Sequence, residues 1–177
     1  MTRIVVSTLF FFLTFIGVSC AQEPAVRPHC VDKQFDKKVS RTIRFSVPVV
    51  GVEELRQMQD GEVLILDARE KEEFETSHIK GAEYFGYNNL EMSVLEDVPK
   101  DQPIVLYCSI GYRSEKVGEK LQQMGFTKVY NLYGSIFEWV NQGEPVVDKE
   151  EQPTEEVHTY NKKWSKWVED GKAVKVW

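Results

Sequence analysis

The spacing of apolar and polar positions changes several times along the chain, and each change marks an element. VLILD (63–67), PIVLY (103–107) and KVYNL (128–132) are short, nearly unbroken apolar runs. Runs of this kind predict strands buried on both faces, as in a parallel sheet covered on each side. Val49 and Val50 predict another short strand, and Glu83 to Phe85 a further one. Helical segments fall between them. One follows Val50 and ends at Gly61, and EKEEFETS (70–77) is short and acidic and is closed by HIKGA. Leu90 to Leu95 suits a helical turn. Ser114 to Met124 places Val117, Leu121 and Met124 on one face and stops at Gly125, while GSIFEWVNQG (134–143) offers Ile136, Phe137, Trp139 and Val140 for burial. Strand and helix alternate through short links. The fold class is therefore α/β, with a mostly parallel central sheet flanked by helices on both faces.

The two ends of the chain read differently. Ile4 to Val18 is an apolar run behind a single early cation, Arg3, and small residues follow it. This pattern predicts a signal peptide over 1–20, of lipoprotein or secretory type, and hence an exported protein. Cleavage before Cys20 would leave that cysteine as a lipidation candidate, giving a membrane-anchored lipoprotein on the envelope side. Cleavage after Ala21 would release a soluble periplasmic form. Residues 21–45 are polar, of mixed charge and without sustained period, and read as tether and lead-in to a domain over 46–147. Residues 148–177 read as a charged linker and an aromatic tail helix. Tyr160, Trp164 and Trp167 would share one face of that helix and dock on the domain, with a partner or membrane contact as the alternative.

Composition adds mainly exclusions. The formal charge of −6 and pI near 5.2 argue against a general nucleic-acid binder. No Cys/His cluster has metal-ligand spacing, so neither metal nor cofactor is expected. With Cys20 assigned to the signal region, Cys30 falls in the polar lead-in and Cys108 at a strand end. That usage fits a functional thiol beside a bystander better than a disulfide framework.

The functional thiol is Cys108. In YCSIGYRS (107–114) it stands at the carboxyl end of an apolar strand and the start of a helix. Ligands of open α/β sheets bind at that edge, and helix N-termini favour anions. A thiol held there among backbone N–H groups is biased towards thiolate, the form a sulfur nucleophile needs. Gly111 permits a tight cradle, and Arg113 can add charge or a forked contact to an oxyanion.

Cys-x-x-Gly-x-Arg after an apolar strand resembles the active-site loop of single-domain rhodaneses, a sulfurtransferase family. LDAREKEEFETSHIKGA (66–82) is similar to that family's upstream signature, and YGSIFEW (133–139) to its downstream Gly and Trp element. The resemblance spans about residues 46–147 and implies a rhodanese-like fold. It also implies that Cys108 takes the outer sulfur of thiosulfate or a persulfide donor and passes it to a thiol or protein acceptor. The persulfide would lie among the N–H groups of Ser109, Ile110, Gly111, Tyr112, Arg113 and Ser114, with Arg113 holding the donor's anionic end. Asp67, Arg69 and His78 are expected to support the loop. The alternatives are a sulfur-carrier or docking module without turnover and, less closely, a phosphatase or arsenate reductase. Phosphatases of Cys-x5-Arg type have one more residue between Cys and Arg than the four found here.

Overall fold

The computed structural model describes residues 27–59 and 61–177; the expected signal peptide and Cys20 lie outside the described residues. In chain order the elements are α1 (Lys33–Thr42), β1 (Val49–Val50), α2 (Val52–Gln59), β2 (Leu64–Asp67), α3 (Lys71–Thr76) and β3 (Ala82–Tyr84). They continue with β4 (Ile104–Tyr107), α4 (Tyr112–Gln123), β5 (Val129–Leu132) and α5 (Ser135–Asn141). Four short strands follow: β6 (Val146–Val147), β7 (Pro153–Thr154), β8 (Glu156–His158) and β9 (Val174–Val176). Short 3-10 turns occupy Met92–Leu95 and Ser165–Trp167.

The central sheet has the order β1-β5-β4-β2-β3 and is parallel throughout. The apolar runs are central strands because both of their faces are covered. On β4, Val105 and Tyr107 enter one core with Phe35, Leu55 and Phe137, whereas Ile104 and Leu106 enter a second core with Val117, Leu121 and Phe126. Alternate side chains thus bury into helical layers on opposite faces, as the period of two dictates. From β2 the chain passes to β3 on one side, and from β4 to β5 on the other. The crevice between their carboxyl ends is therefore the topological switch point, where ligands of such sheets bind. Asp67 is paired in register with Tyr107 at that crevice, one residue before Cys108.

Several expectations need correction. Residues 33–42 are not tether but helix α1. Asp32 caps it by accepting the Phe35 N–H at 2.6 Å, and Phe35 and Val39, four apart, form a narrow buried stripe. Phe35 stacks on Trp167 and lies tilted against Phe137, at 5.6 and 6.4 Å between ring centroids. Cys30 is buried rather than part of a polar flexible segment. Met124 does not share the buried face of α4; it is the exposed C-cap, where the helix has already ended.

The tail is not a helix. β6 and β7 form an antiparallel pair within the expected linker, and β8 runs parallel to β9. The segment between β8 and β9 is held by side chains: Asn161 Oδ1 accepts the N–H groups of Lys163 and Trp164, and the Asn141 amide donates to the Trp167 carbonyl. Trp164 and Trp167 are half-buried against the core, while Tyr160 is exposed. Among the described residues no helix is long and apolar enough to cross a membrane.

Candidate active site

Cys108 immediately follows β4 and is 2% exposed. Two neighbours fix its backbone and sulfur. Its N–H donates to Ser135 Oγ at 3.2 Å, and the Gly111 N–H donates to its Sγ at 3.1 Å. Gly111 achieves this at φ 112°, in the left-handed region, where a side chain would be strained. It is also the N-cap of α4, so the first N–H groups of that helix have no partner within it, and the Ser114 N–H is among the groups that act on the sulfur. The loop is pinned from β5: the Asn131 amide donates to the Gly111 carbonyl at 2.9 Å, and Ser114 Oγ donates to Asn131 Oδ1 at 2.7 Å.

Opposing influences act on the thiol. Burial pushes its pKa up. The Arg113 charge, the N–H and hydroxyl of Ser114 and the Gly111 N–H pull it down and prevail, so Cys108 sits below the ordinary thiol range. Cys30 behaves in the opposite way: burial, with Glu138 and Asp36 close by, pushes it far up. Both thiols are free, and no disulfide joins them.

Arg113 is not an open fork. It lies in the first turn of α4, where the helix dipole disfavours a cation. The Glu73 carboxylate compensates, accepting from Nη1 at 2.6 Å and Nη2 at 2.8 Å, and Ser109 Oγ accepts from Nη2 at 3.0 Å. Glu73 also accepts the Glu70 N–H at 3.0 Å and the Ser109 hydroxyl at 3.2 Å, so one buried carboxylate joins the start of α3, the cysteine loop and α4. Burial pushes the Glu73 carboxyl up, but the Arg113 hydrogen bonds and charge outweigh it and hold the group below the usual carboxylate range.

The remaining expected residues fall into place around this centre. Asp67 and Arg69 form a fully buried ion pair, with Nη2 to Oδ2 at 2.7 Å, and Arg69 also donates to the Ser77 carbonyl. The Arg69 guanidinium lies 5.6 Å from the Tyr107 ring centre, one residue before the nucleophile. His78 is more remote. It stacks on Phe74, Nδ1 lies 3.0 Å from the Phe74 carbonyl, and Nε2 lies 2.9 Å from Glu151. It braces the end of α3 against the turn after β6 and does not line the cavity.

That cavity, of about 520 Å³, opens above Cys108, Ser109, Ile110, Tyr112 and Arg113. One wall comes from outside the main sheet domain: Lys38 and Thr42 on α1, with Tyr160 and Trp164 from the C-terminal segment. Tyr87, Asn88 and Glu70 line the other side. No group of acidic, His and Cys side chains suited to a metal ion occurs among the described residues.

Sequence reasoning missed Glu73, Asn131, Ser135 and this entire wall as site residues. Asn131 carried a signal, because a polar residue inside an apolar strand must find partners when buried.

The profile of the rhodanese-like domain matches residues 51–142. A thiosulfate sulfurtransferase, GlpE of Coxiella burnetii, is 31% identical over 78 residues, covering 44% of this chain and 72% of that protein. The putative sulfur carrier protein YrkF of Bacillus subtilis is 32% identical over 101 residues, covering 56% of this chain and 54% of its own. The tRNA uridine(34) hydroxylase of Aster yellows witches'-broom phytoplasma is 32% identical over 124 residues, covering 64% and 39%. The chain thus spans about half or less of the carrier's and the hydroxylase's length. Among solved structures, the rhodanese-like domain of Anabaena sp. Alr3790 superposes with a TM-score of 0.53 at 22% identity, over 57% of this chain and 79% of that one.

Proposed function

This chain belongs to the rhodanese-like domain family, and from that premise we propose that it is a sulfurtransferase working through a persulfide on Cys108. The observation that carries the reading is the sulfur's environment: Sγ accepts the Gly111 N–H at 3.1 Å, at the N-terminus of α4 and beside Arg113. In the first step the Cys108 thiolate attacks the outer sulfur of thiosulfate. A new S–S bond forms to Cys108, the donor's S–S bond breaks, and sulfite leaves with the bonding pair. The terminal sulfur of the Cys108 persulfide carries the negative charge, and the N–H groups that favoured the thiolate now face a persulfide anion.

A thiophilic acceptor attacks that terminal sulfur in the second step and returns Cys108 as thiolate. Arg113 serves both steps through its charge, while Glu73 holds it in position. Four residues between Cys108 and Arg113 leave a cradle suited to a sulfur atom rather than a tetrahedral phosphate. A sulfur carrier would pass through the same persulfide, so carrier and enzyme differ in turnover, not in site.

The test is thiocyanate formation from thiosulfate and cyanide. Wild type should turn over and Cys108→Ser should not, with the same circular dichroism spectrum for both. Undiminished turnover by Cys108→Ser would remove the mechanism.

A further inference from the structure

The cavity above Cys108 is larger than thiosulfate needs. A cavity of about 520 Å³ lies in the range that holds drug-sized organic ligands, whereas thiosulfate has five heavy atoms. One wall of it, formed by Lys38, Thr42, Tyr160 and Trp164, belongs to the two segments outside residues 51–142, namely α1 and the C-terminal segment. Resting on the sulfurtransferase reading, we propose that this wall selects sulfane-sulfur donors carrying a flat apolar organic group. Organic thiosulfonates and aryl persulfides share that chemistry, and inorganic thiosulfate lacks it.

Three observations carry the inference. First, each cation at the cavity faces an aromatic ring. The Arg113 guanidinium lies 5.5 Å from the Tyr160 ring centre, and the Lys38 ammonium lies 5.0 Å from that of Trp164. Lys38 forms no ion pair among the described residues, whereas Arg113 is already forked onto Glu73. An incoming anion therefore meets Lys38 as well as Arg113, in a cavity that Tyr160 and Trp164 also line.

Second, Tyr160 is held in an unfavourable backbone conformation, φ 65°, which a bulky non-glycine residue rarely adopts. The surrounding turn imposes it. His158 Nδ1 accepts the Tyr160 N–H at 3.1 Å, Thr159 bonds twice to the Val176 carbonyl of β9, and the Thr159 carbonyl accepts the Asn161 N–H. Strain of this kind concentrates at ligand sites, and here it sets the ring beside Arg113.

Third, Tyr160 is 56% exposed and Tyr112 45% exposed, so neither ring is needed to fill a core. Both line the cavity, with Trp164 half-buried beside them. With a thiosulfonate the chemistry balances as before. The Cys108 thiolate takes the outer sulfur of R–SO2–S⁻, the S–S bond breaks, and the sulfinate R–SO2⁻ leaves with the electron pair.

The experiment measures kcat/KM of the full chain for benzenethiosulfonate, methanethiosulfonate and thiosulfate, with cyanide as acceptor. Wild type should prefer the phenyl donor to the methyl one by about 10-fold. Tyr160→Ala should reduce that preference roughly 3- to 10-fold, the worth of one aromatic contact. Tyr160→Phe should retain it, and comparing variant with wild type cancels the intrinsic reactivity of the two donors. A wild-type preference near one, or the same preference in Tyr160→Ala, would overturn the inference while turnover with thiosulfate upheld the sulfurtransferase reading. Absence of turnover with all three donors would overturn both.

Discussion

Arg113→Met and Glu73→Gln break the same ion pair from opposite sides. Their side chains are 15% and 3% exposed, and two N–H···O contacts of 2.6 and 2.8 Å join them. Removing one partner of a buried pair strands the other and costs about 3–5 kcal/mol. Arg113 reaches solvent on one side, which places both variants towards the lower figure. In a domain of this size each kcal/mol lowers Tm by roughly 2–4 °C, so both should melt about 6–12 °C lower. Their effects on Cys108 should differ in sign. Glu73→Gln leaves the guanidinium unneutralised beside the sulfur, and the thiol should titrate lower than in wild type. Arg113→Met removes the cation and leaves the Glu73 carboxylate, and the thiol should titrate higher. The assay is the pH dependence of iodoacetamide alkylation, followed on the Cys108 peptide by mass spectrometry below the melting range of every variant. Midpoints moving in the same direction, or an Arg113→Met midpoint equal to that of wild type, would refute the electrostatic account of the site.

Two further variants test the scaffold. Gly111→Ala has nearly enough room, its Cβ meeting Ile43 Cγ2 at 3.3 Å, but it must hold φ 112°. The strain, about 2 kcal/mol, should lower Tm by roughly 4–8 °C, and relaxation should draw the N–H away from Sγ and reduce sulfur transfer; an alanine variant of wild-type activity and melting would contradict the cradle. Phe35→Ala removes the residue by which α1 stacks on Trp167 and should cost about 3–5 kcal/mol. An unchanged melting curve would show that α1 does not dock.

The strands were legible because β2, β4 and β5 are buried on both faces, which leaves continuous apolar runs in the sequence. The cysteine loop was legible because Gly111 and Arg113 stand at set distances from Cys108 where a strand gives way to a helix. α1 was not, since its buried stripe is two residues, Phe35 and Val39, among eight that face out or sit part-covered. The tail misled by spacing. Tyr160, Trp164 and Trp167 recur at helical intervals, but pairing of β8 with β9 and the Asn161 side chain settle the backbone otherwise. Glu73 was hidden for another reason. Glu70, Glu72, Glu73 and Glu75 look alike in sequence, and only packing of α3 against the loop turns one of them inward onto Arg113.

The most direct test of the account is the intact mass of the reduced protein before and after thiosulfate, with Cys108→Ser alongside. The account predicts a gain of one sulfur atom in wild type, removed by cyanide and absent from the variant. A folded, reduced wild-type protein that gains no sulfur, or a Cys108→Ser variant that gains it equally, would contradict it.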